Sequence, residues 1–100
     1  MRERKPTVGR YPYRKDRKGI WKEIARFVQK DAQGTSTLVE LGPGFCDFVN
    51  QFQAERKIAF ELNPLMKSQA APGVDLRIGD VAGLAELPDG SVDLLFASNF

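Results

Sequence analysis

The sequence predicts an α/β fold built on an open parallel sheet. Three observations carry that expectation. Short apolar runs alternate with helical segments. Each of the first three runs stops at a turn rich in Gly, Pro, Asn or Asp. The last run, Val92 to Ala97, is almost continuously apolar, as in parallel strands covered on both faces.

The elements follow in order. Residues 1–14 read as a basic, irregular arm interrupted by Pro6, Gly9 and Pro12. A helix is expected from Asp16 to Lys30, with Ile20, Trp21, Ile24, Phe27 and Val28 on one stripe. Thr37–Leu41 is a β-prone run ending at Gly42-Pro43-Gly44. Asp47–Glu55 reads as a helix, with Phe48 and Phe52 paired at i, i+4. A second strand, Lys57–Leu62, stops at Asn63-Pro64, and Leu65–Ala71 suits one or two helical turns. A third strand, Asp75–Ile78, ends at Gly79-Asp80, and Leu84 and Leu87 fall in a brief connection. Pro88-Asp89-Gly90 is a turn that introduces the fourth strand. In the doubly wound order that strand lies beside the first and is covered by a fifth. The sequence stops three residues later, at Phe100, so the expectation is the first half of a larger domain. A partner chain over the open edge is the other explanation.

Composition narrows the chemistry. The 100 residues hold one cysteine and no histidine. That forbids an internal disulfide, a Cys₄ zinc site, a Ser-His-Asp triad and any imidazole base within these residues, and no metal site is expected. No apolar run reaches the roughly 18 residues of a membrane span. The basic N-terminus lacks the apolar stretch of a signal peptide, so a cytoplasmic chain with at most one domain is expected. The net charge of +2 conceals a division. Residues 1–30 carry eleven Lys/Arg against three acids, and residues 31–100 carry four against ten. A basic arm therefore precedes an acidic body. The arm is read as a solvated segment that helps cover the site. Contact with phosphates is the alternative, and it requires salt-sensitive binding by residues 1–30.

Three acids mark the candidate site. Glu40 closes the first strand before Gly42 and Gly44, whose missing Cβ atoms allow a sharp turn and close approach of a ligand. The helix that follows offers free N–H groups. A carboxylate at the end of a buried strand needs donors, and turn amides or a cationic ligand would serve. Glu61 lies 19 residues after Gly42 at the end of the second strand, where an acid can accept both hydroxyls of a ribose. Asp80 ends the third strand, where it could accept from an adenine amino group while Val81 packs on the ring. All three share the sheet edge at which open α/β sheets bind ligands. Cys46 has no histidine partner, and is read as a small residue at a glycine position.

These spacings, from about Leu38 to Phe100, resemble the class I S-adenosylmethionine-dependent methyltransferases, whose first motif is an acid followed by glycines at alternate positions. Here it reads Glu40-x-Gly42-x-Gly44-x-Cys46, with cysteine for the third glycine, a departure that bears on backbone closeness at Cys46. Glu61, Asp80 and the Pro88-Asp89-Gly90-Ser91 turn before Val92-Asp93-Leu94-Leu95-Phe96-Ala97 match the later motifs. The phrase from Glu40 to Asn50, with Leu62-Asn63-Pro64 and Ala97-Ser98-Asn99-Phe100, looks like the small methyltransferases of bacterial surface-polysaccharide synthesis.

The resemblance implies a Rossmann-like sheet truncated after the fourth strand, with residues 15–100 as the N-terminal part of an S-adenosylmethionine-binding domain. It implies a cofactor set of Glu40, Gly42, Gly44, Glu61, Leu62, Asp80, Val81 and Asn99. Ala97 to Asn99 would border the methionine end. It also implies a small-molecule or glycan acceptor; nucleic acid is not the expected partner. The oligomeric state and any catalytic base stay open, and the chain alone is expected not to turn over. Two other readings compete. A NAD-type dinucleotide domain would need its third glycine at Asp47. A non-catalytic half-domain would bind a partner through the fourth-strand edge.

Overall fold

The computed structural model describes residues 17–97. The basic arm (1–14) and residues 98–100, with Asn99, lie outside them. The described chain is a Rossmann-like α/β arrangement around one four-stranded, all-parallel sheet. Helix α1 (Arg17–Asp31) leads into β1 (Thr37–Leu41), followed by α2 (Asp47–Gln51) and β2 (Arg56–Glu61). A 3₁₀ helix (Pro64–Gln69) connects to β3 (Val74–Ile78), and a second (Val81–Glu86) precedes β4 (Leu94–Phe96). The sheet order is β3-β2-β1-β4, so the fourth strand does lie beside the first. No helix among the described residues is long and apolar enough to cross a membrane.

Alternation along β1 and β2 separates two cores. Leu38 faces α1 and α2 and packs with Ala25, Cys46, Phe48, Val49 and Phe52. Val39, Leu41, Ile58 and Phe60 face the other way, beneath Leu84, Leu87 and Val92. Phe60 is 5% exposed, and a Cβ on Gly83 would lie 2.5 Å from its Cε1. Gly83 therefore lets the second 3₁₀ helix sit flush on the ring. Gly83→Ala is expected to lower stability by about 1–3 kcal/mol through overpacking. Chemical denaturation measures it; an unchanged midpoint would refute the close fit.

Three elements depart from the sequence expectation. On α1 the buried arc is Trp21, Ile24, Ala25 and Val28, while Ile20 and Phe27 are 56% and 69% exposed. Ala25, the most buried of the four, lies at the edge of that arc farthest from Ile20 and Phe27, and so draws the packed face away from them. Helix α2 ends at Gln51 rather than running to Glu55. Gln29 replaces the next helical turn: its amide accepts from Gln53 N at 2.8 Å and donates to Gln53 O at 3.0 Å. Lys57 Nζ also donates to the carbonyls of Asn50 (3.4 Å) and Phe52 (3.0 Å). Strand β4 keeps only three ladder residues. Leu94 and Phe96 pack on the α1/α2 core, and Leu95, on the other face, is 52% exposed. Phe96 stacks on Phe48, with centroids 3.8 Å apart, and meets Trp21 edge-on at 6.3 Å. The Asp93 carboxylate begins this strand by accepting from Thr37 N (2.8 Å) and Ser36 N (3.1 Å).

Candidate functional site

The C-terminal ends of β1, β2 and β3 are neighbours, and the three acids fall on them in steps. Glu40 pairs in register with Ala59, two residues before Glu61, and Glu61 pairs with Ile78, two before Asp80. The ladder runs on past the strands. Gly42 N donates to Phe60 O, and Gly79 N to Glu61 O, both at 2.9 Å. The glycine loop is thereby anchored at its base directly beside Glu61.

The loop's backbone explains its sequence. Gly42, Gly44 and Cys46 have φ of 66°, 58° and 65°, so every second residue is left-handed. Glycine tolerates that conformation and a side chain does so at a cost of roughly 1–3 kcal/mol. Cys46 therefore occupies a glycine conformation while filling the core beneath, fully buried. Its Sγ contacts Gly44 O at 3.7 Å. Burial, with Glu40, Glu61 and Asp47 nearby, pushes the thiol up to about 12. It stays protonated at neutral pH, which suits a filler and not a nucleophile. A Cβ on Gly44 would meet nothing within 4 Å, so the space above that glycine is open to a ligand.

The acids differ in their surroundings. Glu40 is 2% exposed; the Val49 backbone N–H favours its charged form, while Oε1 has no hydrogen-bond partner among the described residues. Burial, and then the charges of Asp47 and Glu61, raise its pKa from 4.5 to about 8. Glu61 is half-buried and holds the loop: Oε1 accepts from Gly44 N at 3.0 Å and Oε2 from Asn63 N at 2.9 Å. A carboxylate has about four acceptor positions, so one on each oxygen remains, the number a vicinal diol needs. Asp80 caps the second 3₁₀ helix through Oδ1, which accepts from Ala82 N at 2.9 Å, and the residue is exposed. Leu62, Ile78 and Val81 are 71%, 43% and 39% exposed, which leaves apolar surface beside these two acids.

Two residues that the sequence did not single out complete the loop. Asp47, the first residue of α2, is buried and ion-pairs with Arg17 (Nε to Oδ2, 2.7 Å). The Arg17 guanidinium carbon also lies 5.2 Å from the Phe45 ring centroid. One cation thus grips both the loop and the helix after it. The residues are 30 positions apart, and no local pattern marks such a pair. The helix after the loop is only five residues long, and the Cys46 side chain makes no capping hydrogen bond to it. It is too short to supply the anion-binding dipole that a long helix would have. Comparison of the chain with protein-family models and with curated proteins gives no match.

Proposed function

We propose that this chain holds S-adenosylmethionine at the C-terminal edge of its sheet, as the cofactor-binding part of a methyltransferase. The observation that carries the reading is the charge around the glycine loop. Glu40, Asp47 and Glu61 are close enough for the last two to raise the pKa of the first. Arg17 pairs with Asp47, which leaves Glu40 and Glu61 beside the loop, a poor setting for a pyrophosphate and a better one for a cation, and this argues against a NAD-type dinucleotide. S-adenosylmethionine carries a sulfonium and an ammonium.

On this reading Gly42 and Gly44 give backbone access, and the free acceptor positions of Glu61 take the ribose hydroxyls. The uncapped oxygen of Asp80 takes the adenine amino group, between Leu62 and Val81. Glu40 keeps its proton near neutral pH in the free chain, and a cation at the methionine end would draw it off and leave the unpartnered Oε1 side charged beneath it. The cofactor brings the methyl group and its leaving group. These residues bind and orient it, and the reading assigns no base and no acceptor contact to them.

Thermal unfolding with S-adenosylmethionine, and with NAD as control, tests this. A ligand that binds only the folded state raises the midpoint, by about 2.7 kcal/mol of stability at a hundredfold excess over Kd. S-adenosylmethionine should do so and NAD should not, and Glu61→Ala should abolish the effect. A shift with NAD alone, or with neither, would sink the proposal.

A further inference from the structure

The outer face of α1 has no part in the cofactor reading. Lys18, Lys22, Arg26 and Lys30 recur every fourth residue along it, so they form one ridge about 18 Å long. Like charges at i, i+4 destabilise a helix. Among the described residues Arg26 alone of the four has a carboxylate in reach, Glu23 at 3.2 Å, and that pair is exposed. Of the four, Lys30 alone sits in the last turn, where a cation suits the helix dipole.

A groove of about 500 Å³ runs beside it. Lys22, Arg26 and Lys30 line one wall, and Gln33, Gln51 and Gln53 contribute amides. None of the three site acids lines it. Phe27 is 69% exposed and stands three residues before Lys30, so an aromatic ring borders that end of the ridge, outside the groove. In sequence, six more Lys/Arg precede Arg17.

We propose that this ridge and groove bind a single-stranded polynucleotide. The cations would contact its phosphates, the glutamine amides its sugar and base edges, and Phe27 a base. A membrane surface fits less well. Most of the apolar face that an interfacial helix would bury in lipid packs on the core here, through Trp21, Ile24, Ala25 and Val28, which leaves only Ile20 and Phe27 exposed on it. A flat bilayer also cannot enter a groove. The inference is independent of the cofactor reading.

Fluorescence anisotropy of the full chain with a labelled oligothymidylate tests it, over a salt series starting at about 50 mM. Four phosphate contacts give a slope of log K against log salt of about −3. The triple variant Lys22→Gln, Arg26→Gln, Lys30→Gln should flatten that slope by about 2 and weaken binding at least tenfold at the lowest salt. Lys22→Arg with Lys30→Arg should retain it. The substituted positions are exposed, and an unchanged thermal midpoint establishes that the triple variant folds. Three results would each overturn the proposal: no binding at the lowest salt, equal binding by the triple variant, or binding to phosphatidylserine vesicles but not to the oligonucleotide.

Discussion

Replacing Arg17 by alanine is expected to destabilise the chain by about 3 kcal/mol. The guanidinium lies 2.7 Å from the Asp47 carboxylate, and the two side chains are only 16% and 5% exposed. Removing one partner of such a pair strands the other charge in a low-dielectric setting, which typically costs about 3–5 kcal/mol. The lower end applies because Arg17 begins its helix and keeps some contact with water. The cation also lies 5.9 Å from the Trp21 ring centroid and 5.2 Å from that of Phe45, so part of the loss is packing. Urea unfolding of Arg17→Ala, of Asp47→Asn and of the double variant gives the coupling directly. The double variant should be more stable than Arg17→Ala, since no unpaired charge is left. A loss below about 1 kcal/mol for Arg17→Ala would mean that solvent reaches Asp47 and that the pair does not hold the loop.

That pair shows where sequence reading stops. Thr37–Leu41 was legible in full because a buried strand in a parallel sheet must be apolar and must end where a turn begins. The order of Glu40, Glu61 and Asp80 along one edge followed from the same reasoning, since parallel strands place their C-terminal ends together. The length of α2 was not legible. Gln29 ends it from 24 residues away, and a glutamine on an exposed helix face carries no signal that it will do so. The arc of α1 was read rotated toward Ile20 and Phe27, which look like core residues until Ala25 is seen buried against the α2 cluster. Cys46 stood out as a departure from alternating glycines, yet its φ of 65° keeps the backbone pattern that the glycines set. Arg17, Asp47 and Asp93 act across 30 to 57 residues, and only the folded chain brings their partners to them.

The stability of the chain is expected to fall as pH rises from about 4.5 to about 8, and Glu40→Gln should remove that dependence. Glu40 is the cause. Its ordinary pKa is 4.5, and in the folded chain burial raises it to about 8. Between those values the folded state keeps a proton that the unfolded state has released. Stability from this group is therefore complete below 4.5 and lost by the time pH passes 8. At about 1.4 kcal/mol per pH unit the full loss approaches 5 kcal/mol, an upper limit for a loop that relaxes when charged. Asp47 and Glu61 act in the same direction, since each opposes a charge on Glu40. Glutamine has the shape of the protonated acid. The variant should match the wild type near pH 5 and exceed it by several kcal/mol at pH 9. Parallel stability curves from pH 5 to 9 would show that Glu40 is ionised in the fold and that its free oxygen is hydrated. A cationic ligand over the loop must reverse the balance, because it stabilises the charged carboxylate. S-adenosylmethionine should therefore bind more tightly at about pH 7 than at about pH 5.5 in the wild type, both below the range in which its own α-amino group loses a proton, and Glu40→Gln should abolish that difference along with the slope.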